Sequence, residues 1–396
     1  MEVPRGYKQT SIGIIPEDWS LKEVGKAFKI CNNLRFPLSE DVRKTMQGKY
    51  PYYGPTKIQD WINEYKVEGK YALIGEDGDH FLKWRDFPMT LLVEGKFNVN
   101  NHAHLIRGEH AYQTEWFFYY FNHRELSKYL TRQGAGRYKL TKDSLSKIPI
   151  PIPNAVEQQK IAEILSTWDA AIATCKKTIE QLKRRNKGLA QQLLSGKSNR
   201  AHDKDLYKDF HVVGKYVREV STRNSSLQEK RILSVTNSRG FINQSEQFGR
   251  ELASADLSNY KIVKKGQFAY NPSRVNVGSI DLLTKYESGI LSPMYVVFET
   301  STQDLIPEFL YYHLKTYWFT GHIPMFVQGS VRDSLSFDGF SGMKFYIPPV
   351  EKQLEIVKYL EAASSELKLY EEKLQTLQQQ KKGLMQQLLT GKVRTI

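Results

Sequence analysis

Two stretches of the chain place a carboxylate ahead of a Glu-X-Lys triplet: Asp86 before Glu94-Gly95-Lys96, and Asp60 before Glu68-Gly69-Lys70. Paired acids holding Mg²⁺ beside a lysine can cleave phosphodiesters, so Asp86, Glu94 and Lys96 form a candidate nuclease cluster. Glu-Gly-Lys is equally an ordinary polar turn, and the second half of the chain has no counterpart. No GxxxxGK[ST] phosphate loop is present, so nucleotide hydrolysis is not indicated. Asn271-Pro272-Ser273-Arg274 is not the Asn-Pro-Pro-Tyr tetrapeptide of base methylation. His102 and His104 form an HxH pair with no further metal-ligand spacing.

A second kind of chemistry is spread over glycine- and asparagine-rich loops. Arginine matches the acceptor edge of guanine, and asparagine and glutamine match adenine, mixed here with residues that hold phosphates. In the first half the candidate DNA-contacting side chains are Tyr53, Asn100, Asn101, Gln133, Arg137 and Lys139. In the second half they are Asn237, Arg239, Asn271, Arg274, Gln328 and Arg332. Asparagine and glycine also simply make turns, and a surface arginine is often only solvated. Arg137 and Arg332 stand out because each follows a Gln-Gly loop in segments that otherwise differ.

Composition fits a polyanionic partner. The net charge is +14, with a pI near 9.4. A chain of 396 residues with 12% aromatic content is globular and long enough for two or three domains. No apolar run approaches the roughly 20 residues of a membrane-spanning helix. The N-terminal residues carry no apolar signal core, which points to the cytoplasm. Two cysteines, Cys31 and Cys175, are too few for a disulfide framework or a Cys-built zinc site.

The elements that must position these loops are written twice. KGLAQQLLSGK at 187–197 recurs as KGLMQQLLTGK at 382–392. At the same offset Gln158 meets Gln353, Ile152-Pro153 meets Ile347-Pro348, and Leu140 meets Leu335. Val24-Gly25-Lys26 resembles Val213-Gly214-Lys215 at a slightly different offset. Between these matches run two 4-3-4-3 apolar series. The first is Ile161, Leu165, Trp168, Ile172, Cys175, Ile179, Leu182, Asn186, Leu189 and Leu193. The second is Ile356, Leu360, Ala363, Leu367, Tyr370, Leu374, Leu377, Lys381, Leu384 and Leu388. A heptad sustained this long predicts a coiled-coil seam in each half. Asn186 and Lys381 occupy the same polar seam position, which either fixes register or marks fraying near the helix ends. Pro151, Pro153, Pro348 and Pro349 bound the helices before their starts, and Gly196 and Gly391 suit the C′ position after their ends.

The expected fold is α/β (mixed α+β). Two globular domains are joined by a pair of long antiparallel coiled-coil helices in an internal pseudo-twofold repeat, giving a dumbbell. The expected boundaries are 1–153 for the first globular domain and 154–197 for the first helix. The second domain then spans 198–347, and the second helix and tail 348–396. Further helices are expected at 114–130 and 307–319, and strands at 71–74 and 295–298. In the eleven-residue repeat, the Ala190/Met385 difference is expected to lie off the seam.

With that order of parts, the chain resembles the specificity (S) subunit of Type I restriction–modification enzymes. The resemblance rests on the duplicated Ile-Pro run, the helix starts Glu157-Gln158-Gln159-Lys160-Ile161 and Lys352-Gln353-Leu354-Glu355-Ile356, and the KGLxQQLLxGK ends. Ile15-Pro16-Glu17-Asp18-Trp19 also resembles the family's entry into its first domain. Lys352 in place of Glu157 puts a strict role for that acid in doubt. The resemblance implies a non-catalytic subunit whose two domains each read half of a split double-stranded DNA target. Its helices would set the spacer and dock two methyltransferase subunits, with restriction subunits joining that core. No cofactor is expected on this chain, and S-adenosylmethionine, Mg²⁺ and ATP would belong to the partners. The alternative is a stand-alone DNA-binding protein or Mg²⁺-dependent nuclease. Under the first reading, four residues inserted after Leu182 lengthen the spacer and leave both half-sites unchanged, as methylation mapping would record.

Overall fold

The computed structural model describes residues 3–133, 137–196, 209–244, 256–327 and 334–395. The chain is mixed α+β and divides into two compact units, Met1–Cys175 with Lys373–Ile396, and Lys176–Glu372.

The first unit contains strands β1 (Ser20–Glu23), β2 (Phe28–Ile30), β3 (Gln47–Tyr53), β4 (Ile58–Ile62), β5 (Val67–Gly75), β6 (Thr90–Val99) and β7 (Ala103–Gly108). Helix α1 (Thr114–Phe121), the hairpin β8 (Thr131–Gln133) and β9 (Arg137–Lys139), and β10 (Pro149–Ile152) follow. Six strands form one sheet in the order β2-β7-β5-β6-β3-β4, antiparallel except for the β3–β6 pair. Successive side chains of a strand face opposite ways, and here both faces are covered. Ala72, Ile74 and Ile106 join Phe117 and Phe121 of α1 in the larger core, while Tyr71, Leu73, Phe97 and Leu105 form a second one.

The second unit holds β11 (Phe210–Val212), β12 (Val217–Glu219), β13 (Leu233–Thr236), β14 (Gly240–Asn243), β15 (Lys261–Lys264), β16 (Phe268–Tyr270) and β17 (Ile280–Leu282). It continues with β18 (Ser288–Leu291), β19 (Val296–Thr300), α3 (Pro307–Leu314) and β20 (Lys344–Tyr346). Its largest sheet runs β12-β19-β16-β17, flanked by the pairs β13–β14 and β15–β18. The helices expected at 114–130 and 307–319 are shorter than the pattern suggested. After α1 the Asn122 amide turns back to Thr90 Oγ1 (3.1 Å). After α3 the Thr316 side chain caps a separate helix, Tyr317–His322.

The duplicated residues are framework. Strand β1 pairs with β10 and β11 with β20, so the strand at or just before each Ile-Pro run pairs back onto an early strand of its own domain. Val24 N–H donates to Ile148 O and Val213 N–H to Met343 O, both at 2.9 Å. A Cβ on Gly25 would lie 2.9 Å from Ser146 Cβ, and one on Gly214 2.9 Å from Ser341 Cβ. The repeated Val-Gly pair is therefore a close-packing requirement.

The long helices are α2 (Ala155–Leu194) and α4 (Val350–Leu388). Each unit contains a segment of both, running antiparallel. In the first unit Asp169 pairs with Lys381 (2.5 Å) and Glu157 with Arg394 (2.8 Å). In the second, Lys183 pairs with Glu371 (3.3 Å) and Arg185 with Glu366 (2.7 Å). Seam residues Ile161, Leu165, Ile179, Leu182, Ile356 and Leu360 are buried. Trp168, Ile172, Leu189, Leu367, Leu374, Leu377 and Leu384 are half-buried. Neither polar seam residue is left loose. Asn186 Nδ2 donates to Ala363 O (2.8 Å), and Lys381 reaches the Asp169 carboxylate that also accepts from Tyr119 Oη (3.0 Å).

The eleven-residue repeat does more than end a helix. Leu194 is buried in the core of the second unit, with Ala190 packed against it, and Met385, Leu388 and Leu389 enter the core of the first. The Ala190/Met385 position thus faces a domain core, because a helix packed on both a partner helix and a domain needs a wider stripe than a seam. Gly196 and Gly391 have φ of +65° and +70°, as a C′ residue in the left-handed region requires.

Glu157 and Lys352 differ in role as well as charge. Glu157 is fully buried and accepts from Trp19 Nε1 (2.9 Å) and from Arg394, whereas Lys352 is exposed and pairs with Glu355 (2.7 Å). Arg394 also grips Asp18 through two hydrogen bonds, and that hydrogen bonding holds the Asp18 carboxyl below its usual range.

Each long helix starts on a buried glutamine. Gln158 Oε1 accepts from Gln113 N (3.0 Å), and its Nε2 donates to Ala111 O (3.0 Å) and Pro153 O (2.9 Å). Gln353 repeats the set with Ile306 N (3.0 Å), Asp304 O (2.6 Å) and Pro348 O (2.7 Å). Replacing either residue with leucine strands three buried backbone groups. We expect Gln158→Leu or Gln353→Leu each to cost on the order of 3 kcal/mol in denaturant unfolding, whereas Gln159→Leu at the neighbouring exposed position changes little.

Candidate nucleic-acid interface

In the first unit the loops at 76–78 and 99–102 and the β8–β9 hairpin come together at one edge of the sheet. Asn100 N–H donates to Tyr53 O (3.0 Å), Glu76 N–H to His102 O (2.8 Å) and Gly78 N–H to Tyr138 O (3.1 Å). Asp77 and Lys139 form an isolated antiparallel bridge. Four candidates, Tyr53, Asn100, Asn101 and Lys139, therefore share one neighbourhood. The hairpin register sets Gln133 opposite Arg137, and its tip, 134–136, lies outside the described residues.

Their side chains are used differently. Asn101 is exposed. Asn100 is buried, its Nδ2 on Gln59 Oε1 (3.0 Å) and its Oδ1 accepting His102 N–H (2.9 Å), so its amide builds the turn. Tyr53 is half-buried with its ring edge-on to Phe97, and burial raises its hydroxyl pKa. Lys139 Nζ lies 3.3 Å from Glu76.

Glu76 is the electrostatic centre of this edge. Arg35 forms a short ion pair with it while donating to Asn101 O (2.9 Å). Burial would raise the Glu76 pKa, but Arg35, His104 and Lys139 together hold it below the usual carboxylate range. His104 contributes only when charged, and burial lowers its own pKa. Its ring is consistent with the neutral form, with Nε2 on Leu140 O (2.7 Å) and Nδ1 on Asn32 Nδ2 (2.8 Å). At neutral pH the arginine and lysine therefore do the work. His104 is committed to the core, so it does not form a metal pair with His102.

In the second unit the β13–β14 turn stands beside the loop that follows β16. Asp281 Oδ2 accepts from Phe241 N (3.1 Å), and Ser279 Oγ donates to Val235 O (2.6 Å). The Asn237 side chain lies over Gly278, where an added Cβ would come within 2.7 Å of it. This gathers Asn237, Arg239, Asn271 and Arg274 into one cluster. Arg239 and Arg274 are exposed. Asn271 is half-buried, with Oδ1 accepting Ser273 N–H (3.1 Å). Gln328 and Arg332 lie outside the described residues.

The carboxylate–lysine triplets pair with each other. In the β5–β6 register Glu68 faces Lys96, Gly69 faces Gly95 and Lys70 faces Glu94. Lys70 Nζ is 3.3 Å from Glu94 and 2.9 Å from Glu115, and Lys96 sits over the Tyr65 ring. Among the described residues no group of three or more His, Cys, Asp or Glu could hold a metal ion. Each triplet's acid thus lies opposite the other triplet's lysine across the β5–β6 pair, the arrangement of cross-strand charges on a sheet surface, which does not favour the cleavage reading.

Sequence reading missed Arg35 and Glu76 as organisers, because their pairing joins positions 41 apart. Arg35→Ala should lower stability by on the order of 2 kcal/mol at pH 7, since Glu76 keeps its charge but loses its main partner. A lowered carboxyl pKa contributes stability above the ordinary carboxylate range and loses it as pH falls through the folded value. The gap between variant and wild-type melting midpoints should therefore narrow in acid.

Residues 16–184 and 258–379 match the family described as Type I restriction modification DNA specificity domain. The type I restriction enzyme MjaVIII specificity subunit of Methanocaldococcus jannaschii is 23% identical over 406 aligned residues, covering 96% of this chain and 94% of that one. The putative type I restriction enzyme specificity subunit S.HindORF215P of Haemophilus influenzae is 36% identical over 149 residues. That match covers 38% of this chain and only 37% of the relative. Among solved structures, the S subunit of a Type I restriction–modification system from M. genitalium superposes with a TM-score of 0.61 at 14% identity. It covers 98% of both chains, a likeness of fold. With the family match spanning well over half of the chain, the protein belongs to the Type I restriction–modification DNA specificity family.

Proposed function

We propose that the chain is the non-catalytic specificity subunit of a Type I restriction–modification complex. Residues 1–153 and 198–347 each read one half of a bipartite double-stranded DNA target. The helices set the unread spacer and dock two methyltransferase subunits, to which restriction subunits add. S-adenosylmethionine, Mg²⁺ and ATP belong to those partners. On this reading the complex is cytoplasmic; among the described residues no helix is long and apolar enough to cross a membrane.

The observation that carries this reading is how the internal repeat divides its labour. Residues that match between halves, such as Gln158 and Gln353 or Gly25 and Gly214, are spent on framework contacts. The exposed polar loops, with Asn101 and Lys139 in one half and Asn237, Arg239 and Arg274 in the other, are where the halves differ. A common frame carrying two unlike polar loop sets is what two independent half-site readers require.

Methylome sequencing of a host carrying the complete complex tests the assignment. Arg239→Ala with Arg274→Ala should relax one half-site, and Asn101→Ala with Lys139→Ala the other, at about 1–3 kcal/mol per lost base contact. Relaxation of both half-sites by either pair would falsify the division.

A further inference from the structure

At the loop edge of the first unit lies a histidine–carboxylate pair that none of the framework contacts requires. His102 Nδ1 stands 3.0 and 2.8 Å from the two oxygens of Asp77. The His102 side chain is 42% exposed and that of Asp77 24%. Among the described residues the ring's other nitrogen, Nε2, has no hydrogen-bond partner.

The backbone around the pair is pinned on several sides. The Asn100 side chain accepts from His102 N–H, Glu76 N–H donates to His102 O, and Arg35 holds the carbonyl of Asn101. Asp77 is bridged to Lys139 of β9. An ionised carboxylate can only accept, so a neutral ring facing Asp77 keeps its proton on Nδ1 and offers a lone pair at Nε2. This is an oriented acceptor, one residue from the exposed Asn101 and held by an aspartate bridged to Lys139.

We propose that His102 is a base-reading residue of the first recognition domain, with Asp77 as its positioning residue. Nε2 accepts a hydrogen bond from the exocyclic amino group of an adenine or cytosine in the major groove. The inference rests on the DNA-reading function proposed above and extends it to residues whose pairing no local spacing reveals.

The test uses the full-length chain in complex with its methyltransferase subunits. His102→Ala should relax one base pair of the half-site that Lys139→Ala also changes, with affinity for the native site falling about tenfold. Asp77→Asn keeps an amide oxygen for Nδ1–H and should retain the preference, whereas Asp77→Ala should lose it. A second measurement needs only wild-type protein. Duplexes in which each adenine or cytosine of that half-site in turn lacks its exocyclic amino group should bind about tenfold more weakly at one position. His102→Ala should not distinguish that duplex from the native one. Uniform weakening on all sequences with a shallower salt dependence would mark a phosphate contact and overturn base reading. An unchanged half-site in His102→Ala overturns it too. A wild-type complex that reads no split sequence overturns the function proposed above, and this inference with it.

Discussion

Each half of the chain depends on one buried glutamine in the first turn of a long helix. The site presents one backbone N–H and two backbone carbonyls, contributed by the turn before the short domain helix and by the proline-bounded end of the closing strand. Proline supplies no N–H, so such a strand end cannot satisfy its neighbours through regular pairing. A glutamine side chain has an acceptor and two donors, which matches the demand. Glutamate lacks the donors, and an apolar residue would leave all three groups unpaired in a dry place. The same three bonds recur around Gln353, so the clamp couples domain to helix twice. It explains why a polar residue is duplicated where apolar ones would be expected.

Much of this frame was legible in the sequence because it is periodic or repeated. The 4-3-4-3 series located the seam, and the terminal glycines located both helix ends. What stayed hidden depends on partners far along the chain. The two Glu-Gly-Lys triplets look like independent catalytic patterns until the β5–β6 register sets each acid opposite the other's lysine. Asn100 looks like a base reader until the fold supplies Gln59 and His102 as partners for both ends of its amide. The position of Ala190 and Met385 lies off the seam by the heptad alone, and the domain cores add a second packing direction that the heptad does not show. Local pattern reports which face of an element is apolar; it does not report which polar groups the fold will bring to meet each other.

The repeat is asymmetric where its halves do different electrostatic work. Asn186 and Lys381 share a seam position, yet one donates to a backbone carbonyl and the other to a carboxylate. A lysine facing the helix pair requires an acid, and Asp169 supplies it from the other long helix, α2. Asparagine needs only a carbonyl, which small Ala363 leaves reachable. The same logic separates Glu157 from Lys352. The buried acid is tolerable because Trp19 donates to it and the Arg394 guanidinium neutralises it, a combination that the C-terminal tail brings to the first unit. Removing one member of such a buried set costs more than the set contributes as a whole, because it leaves a charge without a partner.

The net charge of +14 overstates what the loops can offer a phosphate backbone. Arg35, Lys70, Lys381 and Arg394 are all tied to carboxylates, and Lys139 leans on Glu76. Arg239 and Arg274 differ, since among the described residues their side chains have no ion pair and both are exposed. The two sets of candidate loop residues therefore differ in their electrostatics. The first presents polar groups held by an internal ion network, preorganised and partly neutralised. The second presents exposed guanidinium groups, without an ion pair among the described residues, in the same loops as asparagines. Preorganised polar groups lose little entropy on contact and favour discrimination between bases. Free cations release counterions and favour salt-sensitive affinity. Under the function proposed above, a split target would draw more of its affinity from the second set of loops and more of its selectivity from the first.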